Sequence, residues 1–239
     1  MSVMRNKIAI VIPAYEPEDS LLELIKSLQK DFGRIVVIDD GSKTADPVFE
    51  RVAWMDGVKL LRHDVNRGKG AALKTAFAEI PTLFPDVEGV VTADADGQHL
   101  PEDIAAVAKS VLDYPDRFTL GVRGFDGNVP LRSRFGNAWS RWFFFLLTGA
   151  MIYDTQTGLR GIPAKFLPAL CEMKGDRYEY EGRMLVAAAR MKAKPMQVRI
   201  KTVYLEGNRT SHFNPIRDSL RTQLALLAAR FSPMPKFPQ

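Results

Sequence analysis

Short apolar runs rich in β-branched residues recur through the first half of the chain: "KIAIVIP" (7–13), "RIVVID" (34–39), "VKLLR" (58–62), "GVVTAD" (89–94) and "RFTLGV" (117–122). Runs this short and continuously apolar predict strands buried on both faces. Helical spacing fills the gaps. Ser20 with Glu23 predicts a capping box before "LLELIKSLQ", residues 69–80 carry a 3.6-residue period, and Pro101 stands where a first-turn proline is welcome before "EDIAAVAKSVL". Strand, helix, strand in repetition predicts an α/β fold with a parallel, doubly wound sheet. The second half is less regular. Helices are expected over 132–149, 181–193 and 215–231, a loop and short strand over 154–163, and a strand over 197–204.

At 239 residues the chain suits one domain over 1–231, divided at residue 116 and followed by a proline-rich tail, 232–239, the one stretch biased enough to be disordered. Charge marks that division. Through Asp116 there are 13 basic and 20 acidic residues, and beyond it 20 basic and 8 acidic. An acidic half suits cation binding, and a basic half suits phosphate, a nucleic acid backbone or an anionic membrane face. Cys171 is the single cysteine, so no intrachain disulfide is expected. No signal peptide is read at the start, and the longest aromatic and aliphatic run, 142–147, is far shorter than the roughly 20 residues of a spanning helix.

Polar clusters follow the first four strands: "PAYEPE", "DDGS", "HDVNRGKG" and "DADGQH". In an open α/β sheet these strand ends border one crevice. In extended backbone, Asp94, Asp96 and Gln98 would point the same way. Two carboxylates so close need a positive partner, and a hard divalent cation, Mg2+ or Mn2+, is the first candidate. An EF-hand is excluded because Ala105 stands at the twelfth position, where a bidentate Glu is required. A strand-Asp-x-Asp-Gly phosphatase would want Thr or Val where Gln98 stands. "NRGKGAA" has neither P-loop spacing, with His63 in place of the first glycine, nor the dinucleotide pattern, with Leu73 in place of the third. It remains either a softened helix start or an anion-approaching loop. Asp39 and Asp40 either cap the next turn or accept hydrogen bonds from a ligand, and His63 and His99 read as satisfied loop residues.

Taken together, "VIPAYEPEDSL", "VVIDDGS", "NRGKGAAL", "TADADGQHLPED", "DTQTGLRG", "RYEYEGRML" and "NRTSHFNPIRDSLR" resemble, in order and from about residue 8 to 221, the family 2 glycosyltransferases of GT-A fold. The likeness is greatest to the branch of dolichol-phosphate mannose synthase and bactoprenol glucosyltransferases. The resemblance implies a UDP- or GDP-linked sugar donor. It assigns Pro13, Tyr15 and Asp39 to the nucleoside pocket, and Asp94, Asp96 and Gln98 to the shell of the metal bridging the diphosphate. Arg209 and Ser211, with His212 beside them, match a loop that closes over the donor phosphates. "PAYEPE" stands where "PAYNE" is commoner, which leaves Glu16 and Glu18 without a family role.

For the acceptor the resemblance implies a polyprenyl phosphate gripped by Arg123, Arg132 and Arg134, with Asn137 nearby, and it places Arg160 of "QTGLRG" close to the reacting sugar. Inverting transfer would follow, with the metal, Asp96 and Arg209 stabilising the departing diphosphate. An ionised phosphate needs no general base, whereas a glycan hydroxyl, the alternative acceptor, would draw on Glu179 or Glu181; the bland role for those two is pairing with Arg177 and Arg183. A nonenzymatic nucleotide-sugar binder beside a small membrane protein is the further alternative. The aromatic helix at 132–149 and the amphipathic one at 215–231 suit a cytoplasmic protein lying on the inner membrane face, unless their apolar stripes pack on the sheet. No nucleic acid recognition motif is present.

Overall fold

The computed structural model describes residues 2–43, 47–124, 131–201, 224, 226–233 and 235–238, with residues 2, 3 and 131–137 placed only by the helices that carry them. The first half comprises α1 (Ser2–Lys7), β1 (Ile8–Ala14), α2 (Ser20–Leu28), β2 (Ile35–Asp39), α3 (Pro47–Ala53), β3 (Val58–Arg62), α4 (Lys69–Leu83), β4 (Gly89–Thr92) and α5 (Pro101–Asp113). Then come β5 (Thr119–Arg123), α6 (Leu131–Thr148), β6 (Arg160–Pro163), α7 (Leu167–Cys171), α8 (Tyr178–Arg190) and β7 (Met196–Ile200).

The strands form one sheet in the order β3-β2-β1-β4-β6-β5-β7. All neighbours are parallel except β6, which runs antiparallel to β4 and β5. Both faces are covered, which is why these strands read as unbroken apolar runs. Ile8, Ile10 and Ile12 of β1 join Leu21 and Ile25 of α2 and Ile104 and Val107 of α5 on one face. Ala9 and Val11 join Leu73 and Phe77 of α4 and Tyr180 and Met184 of α8 on the other. Burial of each large apolar side chain is worth about 1.5–3 kcal/mol. A third cluster brings Phe144 of α6 against Leu120 of β5, Leu185 and Val186 of α8, and Leu226 and Ala229 from the helical residues 226–231.

Several local expectations change in the folded chain. Ser20 is the first residue of α2, and its hydroxyl donates across to Ala95 O at 3.4 Å, so no capping box forms. Strand β4 ends at Thr92, two residues before Asp94. Phe237 of the tail packs edge-on against Phe118 and Phe166 at 6.0 and 5.6 Å. One aromatic among prolines is enough to seat that segment on the core.

Candidate active site

β1 lies between β2 and β4, and the chain leaves it toward opposite ends of the sheet, so a crevice opens beyond its C-terminal end. Pro13 lies in β1 and exposed Tyr15 follows it. Glu16 adopts a left-handed φ of 46°. Its amide donates to Ser42 Oγ at 3.0 Å and its carboxylate accepts from the Lys43 amide at 2.8 Å, which bolts this loop to the one after β2. Asp39 is buried, with Oδ1 accepting from the Ser42 amide at 2.9 Å. Asp40 pairs with His63 Nδ1 at 2.7 Å and accepts from the Arg67 and Gly68 amides at 3.0 and 2.8 Å. The other His63 nitrogen lies 2.9 Å from Thr75 Oγ1. Asp40 and His63 therefore hold the "NRGKG" loop.

That loop begins α4 against the start of α8. Gly68 has φ +100°, and a Cβ there would come within 2.5 Å of Asp176 O. The Ala71 amide donates to the same oxygen at 2.9 Å. Close approach, more than phosphate binding, accounts for these glycines, and it delivers Lys69 into the crevice. Its ammonium lies 2.6 Å from Asp94 Oδ1 and 3.0 Å from Glu181 Oε2. His99 Nε2 meets Asp94 Oδ2 at 3.2 Å. Burial opposes ionisation of Asp94, but Lys69 and His99 outweigh it and hold the carboxyl well below the usual range. Burial likewise opposes the Lys69 charge, and Asp94 and Glu181 outweigh it, raising that pKa. The positive partner demanded by the paired aspartates is, at Asp94, a lysine of the chain itself.

Asp94, Asp96 and Gln98 do not continue a strand. They lie on a turn in which Asp96 Oδ1 accepts from the Gln98 amide at 3.0 Å. Asp96 makes no ion pair among the described residues. Partial burial pushes its pKa up, and the neighbouring Asp94 charge adds to that. Gly158 packs on this cluster so closely that a Cβ would come within 2.3 Å of Asp94 Oδ2.

The cleft runs from Asp94, Gln98 and His99 past residues 156–158 to Arg123, Ile200 and Lys201 at the ends of β5 and β7. Arg123 Nε and Nη2 donate to Asp154 at 2.6 and 3.1 Å, and Asp154 is fully buried. Arg160 is turned into the protein. It is 2% exposed and donates to Thr157 O at 3.0 Å and Glu181 O at 2.5 Å, bracing the 156–158 loop against α8. Burial lowers its pKa from the ordinary arginine value. That geometry makes Arg160 a positioning residue. Neither carboxylate of "RYEYEGR" pairs with Arg177 or Arg183 as the bland reading had it: Glu179 accepts from the Asp176 and Arg177 amides at 3.1 and 3.3 Å, and Glu181 takes Lys69.

Arg132, Arg134 and Asn137 lie on α6 with side chains outside the described residues, as do Arg209, Ser211 and His212 altogether. Sequence reasoning gave no role to Lys69, Asp154 or Lys201 and understated His99. Of these only Asp154 carried a signal, an acidic residue directly after the apolar "MIY".

A family model described as glycosyl transferase family 2 matches residues 9–161. The chain belongs to that family. This glycosyltransferase is 34% identical over 212 residues to an uncharacterized protein of Methanocaldococcus jannaschii, covering 85% of this chain and 84% of that one. It is 31% identical to the UDP-N-acetylglucosamine–dolichyl-phosphate N-acetylglucosaminyltransferase of Methanococcus voltae, over 83% of this chain and 86% of that protein. With an undecaprenyl-phosphate 4-deoxy-4-formamido-L-arabinose transferase of Pseudomonas paraeruginosa it shares 30% identity over 68% of this chain and 49% of the relative. Among solved structures, glucosyl-3-phosphoglycerate synthase of Mycobacterium tuberculosis with Mn2+, UDP and glucosyl-3-phosphoglycerate superposes with a TM-score of 0.68 at 18% identity, over 94% of this chain and 78% of that one. The mannosyl-3-phosphoglycerate synthase of Rubrobacter xylanophilus gives 0.70 at 17%, over 96% and 74%. The enzyme has the GT-A fold expected from the sequence, its sheet mostly parallel and flanked by helices.

Proposed function

We propose that this glycosyltransferase moves one sugar, with inversion, from a nucleoside diphosphate sugar to a polyprenyl phosphate at a membrane surface. The observation that carries the acceptor is the state of the two candidate bases. Glu179 is spent on backbone amides and Glu181 on Lys69. A hydroxyl acceptor would need such a base, and an ionised phosphate does not. The far end of the cleft supports the same reading, because Arg123, fixed by Asp154, and Lys201 line it. The named relatives from Methanococcus and Pseudomonas act on dolichyl and undecaprenyl phosphates.

The donor enters at the ends of β1 and β2, with Pro13, Tyr15 and Asp39 around the nucleoside. A divalent Mg2+ or Mn2+ fits the donor set beside it, since Asp96 is a carboxylate without a protein cation among the described residues and Gln98 is its neighbour on the turn. Bound there, the ion would offset charge on the departing diphosphate. Asp96 and Gln98 hold that end of the donor, and the motif match assigns Arg209, Ser211 and His212, which lie outside the described residues, to its phosphates. Arg123, with Arg132, Arg134 and Asn137 of α6, orients the acceptor phosphate for attack from the opposite face of the anomeric carbon. Arg160 keeps the intervening loop in place.

The membrane side follows from exposed apolar residues. Trp139, Trp142 and Leu146 of α6 are 64, 54 and 81% exposed, and Leu224, Leu227 and Phe231 are exposed at the same 3- and 4-residue spacing. Arg230 Nε donates to Leu147 O at 3.1 Å, and Phe144 packs with Leu226 and Ala229, so the helices that carry the two rows lie against each other. Arg141 and Arg230 border them over Tyr153 and Phe231. Amphipathic aromatic and aliphatic rows edged by arginine suit the interface of an anionic bilayer. Among the described residues no helix is long and apolar enough to cross a membrane.

The test is a transfer assay with Mn2+ or Mg2+, undecaprenyl or dolichyl phosphate, and UDP- and GDP-linked sugars, read by mass spectrometry of the lipid. A glycosylated lipid phosphate is expected. Donor bound with metal but no lipid product would overturn the acceptor and leave a glycan hydroxyl in its place.

A further inference from the structure

Glu16 of "PAYEPE" is without a family role, and the reaction above gives it none. We infer that Glu16 is a positioning residue for the donor: by clamping the loop after β1 to the turn after β2, it holds Tyr15 beside Asp39 and forms the nucleoside slot before a nucleotide arrives. The inference rests on the nucleoside pocket proposed above and deepens it by naming what fixes its two walls.

Glu16 is the one residue other than glycine with a positive φ, 46°, among the described residues. Glutamate has neither the freedom of glycine nor the short side chain with which asparagine supports that conformation, so its backbone left alone would relax out of the left-handed region. Two contacts hold it there. The Glu16 amide donates to Ser42 Oγ at 3.0 Å, and Glu16 Oε1 accepts from the Lys43 amide at 2.8 Å. Ser42 donates its own amide to Asp39 Oδ1 at 2.9 Å, so one serine joins the Glu16 backbone to the buried carboxylate of the slot. The turn that receives these bonds is itself fixed. The Asp40 amide donates to Ala14 O at 2.9 Å, and Gly41, at φ +71°, packs so closely on the next loop that a Cβ would come within 2.2 Å of the Val65 carbonyl carbon. Tyr15 thus lies between two fixed points, Ala14 in register with Asp39 and Glu16 in its clamp, yet it is 45% exposed. An aromatic ring held by its backbone and left uncovered at the strand ends suits stacking on a base. Strained conformers persist where neighbours over-determine them, and they recur at ligand clamps. Ordering the loop in advance removes that entropy cost from binding.

Calorimetry with Mn2+ and UDP or GDP measures nucleotide affinity, and steady-state kinetics separate donor KM from kcat. Glu16→Ala removes the Lys43 contact and leaves alanine in the left-handed region, so nucleotide affinity should fall about fivefold, the worth of one exposed hydrogen bond to a carboxylate. Donor KM should rise by the same factor while kcat at saturating donor stays within about twofold of wild type. Glu16→Gln keeps an oxygen for the Lys43 amide and should restore affinity. Ser42→Ala opens the clamp from the other side, should weaken affinity alike, and decides the matter if Glu16→Ala does not fold. The double variant should lose far less than the roughly 25-fold of two independent contacts, since either break frees the loop. Unchanged affinity and KM in a folded Glu16→Ala protein, whatever its melting temperature, would overturn the inference, as would additive losses or a fall in kcat equal to the rise in KM. Tyr15→Ala separates the two readings. Should it weaken nucleotide binding while Glu16→Ala does not, the slot stands and only the clamp fails; should neither alter it, the nucleoside pocket and the clamp fail together.

Discussion

Gly158→Ala isolates the Asp94 cluster with a single methyl group. The added Cβ would stand 2.3 Å from Asp94 Oδ2 and 2.8 Å from both Cγ and Oδ1. Gly158 does not have a left-handed φ, so alanine brings no backbone strain and the effect is steric alone. The carboxylate cannot swing aside without loss, since Lys69 at 2.6 Å and His99 at 3.2 Å hold its two oxygens. Either Asp94 gives up one of these contacts, or the 156–158 loop, braced by Arg160, is forced outward. Overpacking of this kind costs about 1–3 kcal/mol. For a chain of this length that lowers the melting temperature by roughly 2–12 °C. Catalysis should suffer more, because a displacement on the order of 1 Å beside the reacting groups can cost 10²-fold in turnover. Circular dichroism melts and steady-state kinetics with varied donor measure the two effects on one preparation. A variant with wild-type melting temperature, KM and kcat would refute the placement of Gly158 on Asp94 and the importance given to that carboxylate.

Asp154→Ala should remove the buried carboxylate that fixes the Arg123 guanidinium; lipid-acceptor KM should rise while donor KM holds, and equal change in both would misplace the acceptor site. Replacing Trp139 and Trp142 together by alanine should weaken binding to anionic vesicles by at least about tenfold in a sedimentation assay, from the loss of two large interfacial side chains, and unchanged sedimentation would point to another docking face. The Lys69–Asp94 pair should shape the pH dependence of stability. Asp94 is held below its ordinary 3.8, so its contribution is present above that pH and fades as pH falls through the lowered value. Lys69 is raised above its ordinary 10.5, so its contribution is full below that pH and fades as pH rises through the raised value. Urea midpoints of wild type and Lys69→Met should therefore differ most near neutrality and converge in acid; a constant difference down to pH 3 would contradict this.

Local rules carried the framework because the chain states it locally. Continuous β-branched runs and intervening helical periods gave strands, helices and a mostly parallel sheet, and polar clusters at four strand ends located the crevice. The motifs in their order pointed to the family before any coordinates. Those same rules misjudged how the clusters are arranged inside the crevice. Extended alternation would have aimed Asp94, Asp96 and Gln98 together, but β4 ends at Thr92 and the three lie on a turn. Lys69, Asp94 and Glu181 lie on α4, the loop after β4 and α8, so their meeting depends on how those elements dock. No spacing records a contact between residues 25 and 112 positions apart. The antiparallel β6 is of the same kind, because it depends on which strand the returning chain finds beside it. The sequence by itself determined the fold class, the crevice and the types of residue brought to it. Only the tertiary structure decided that Asp94 is paired with a lysine while Asp96 has no ion pair among the described residues, since burial and charge pairing are properties of the assembled neighbourhood.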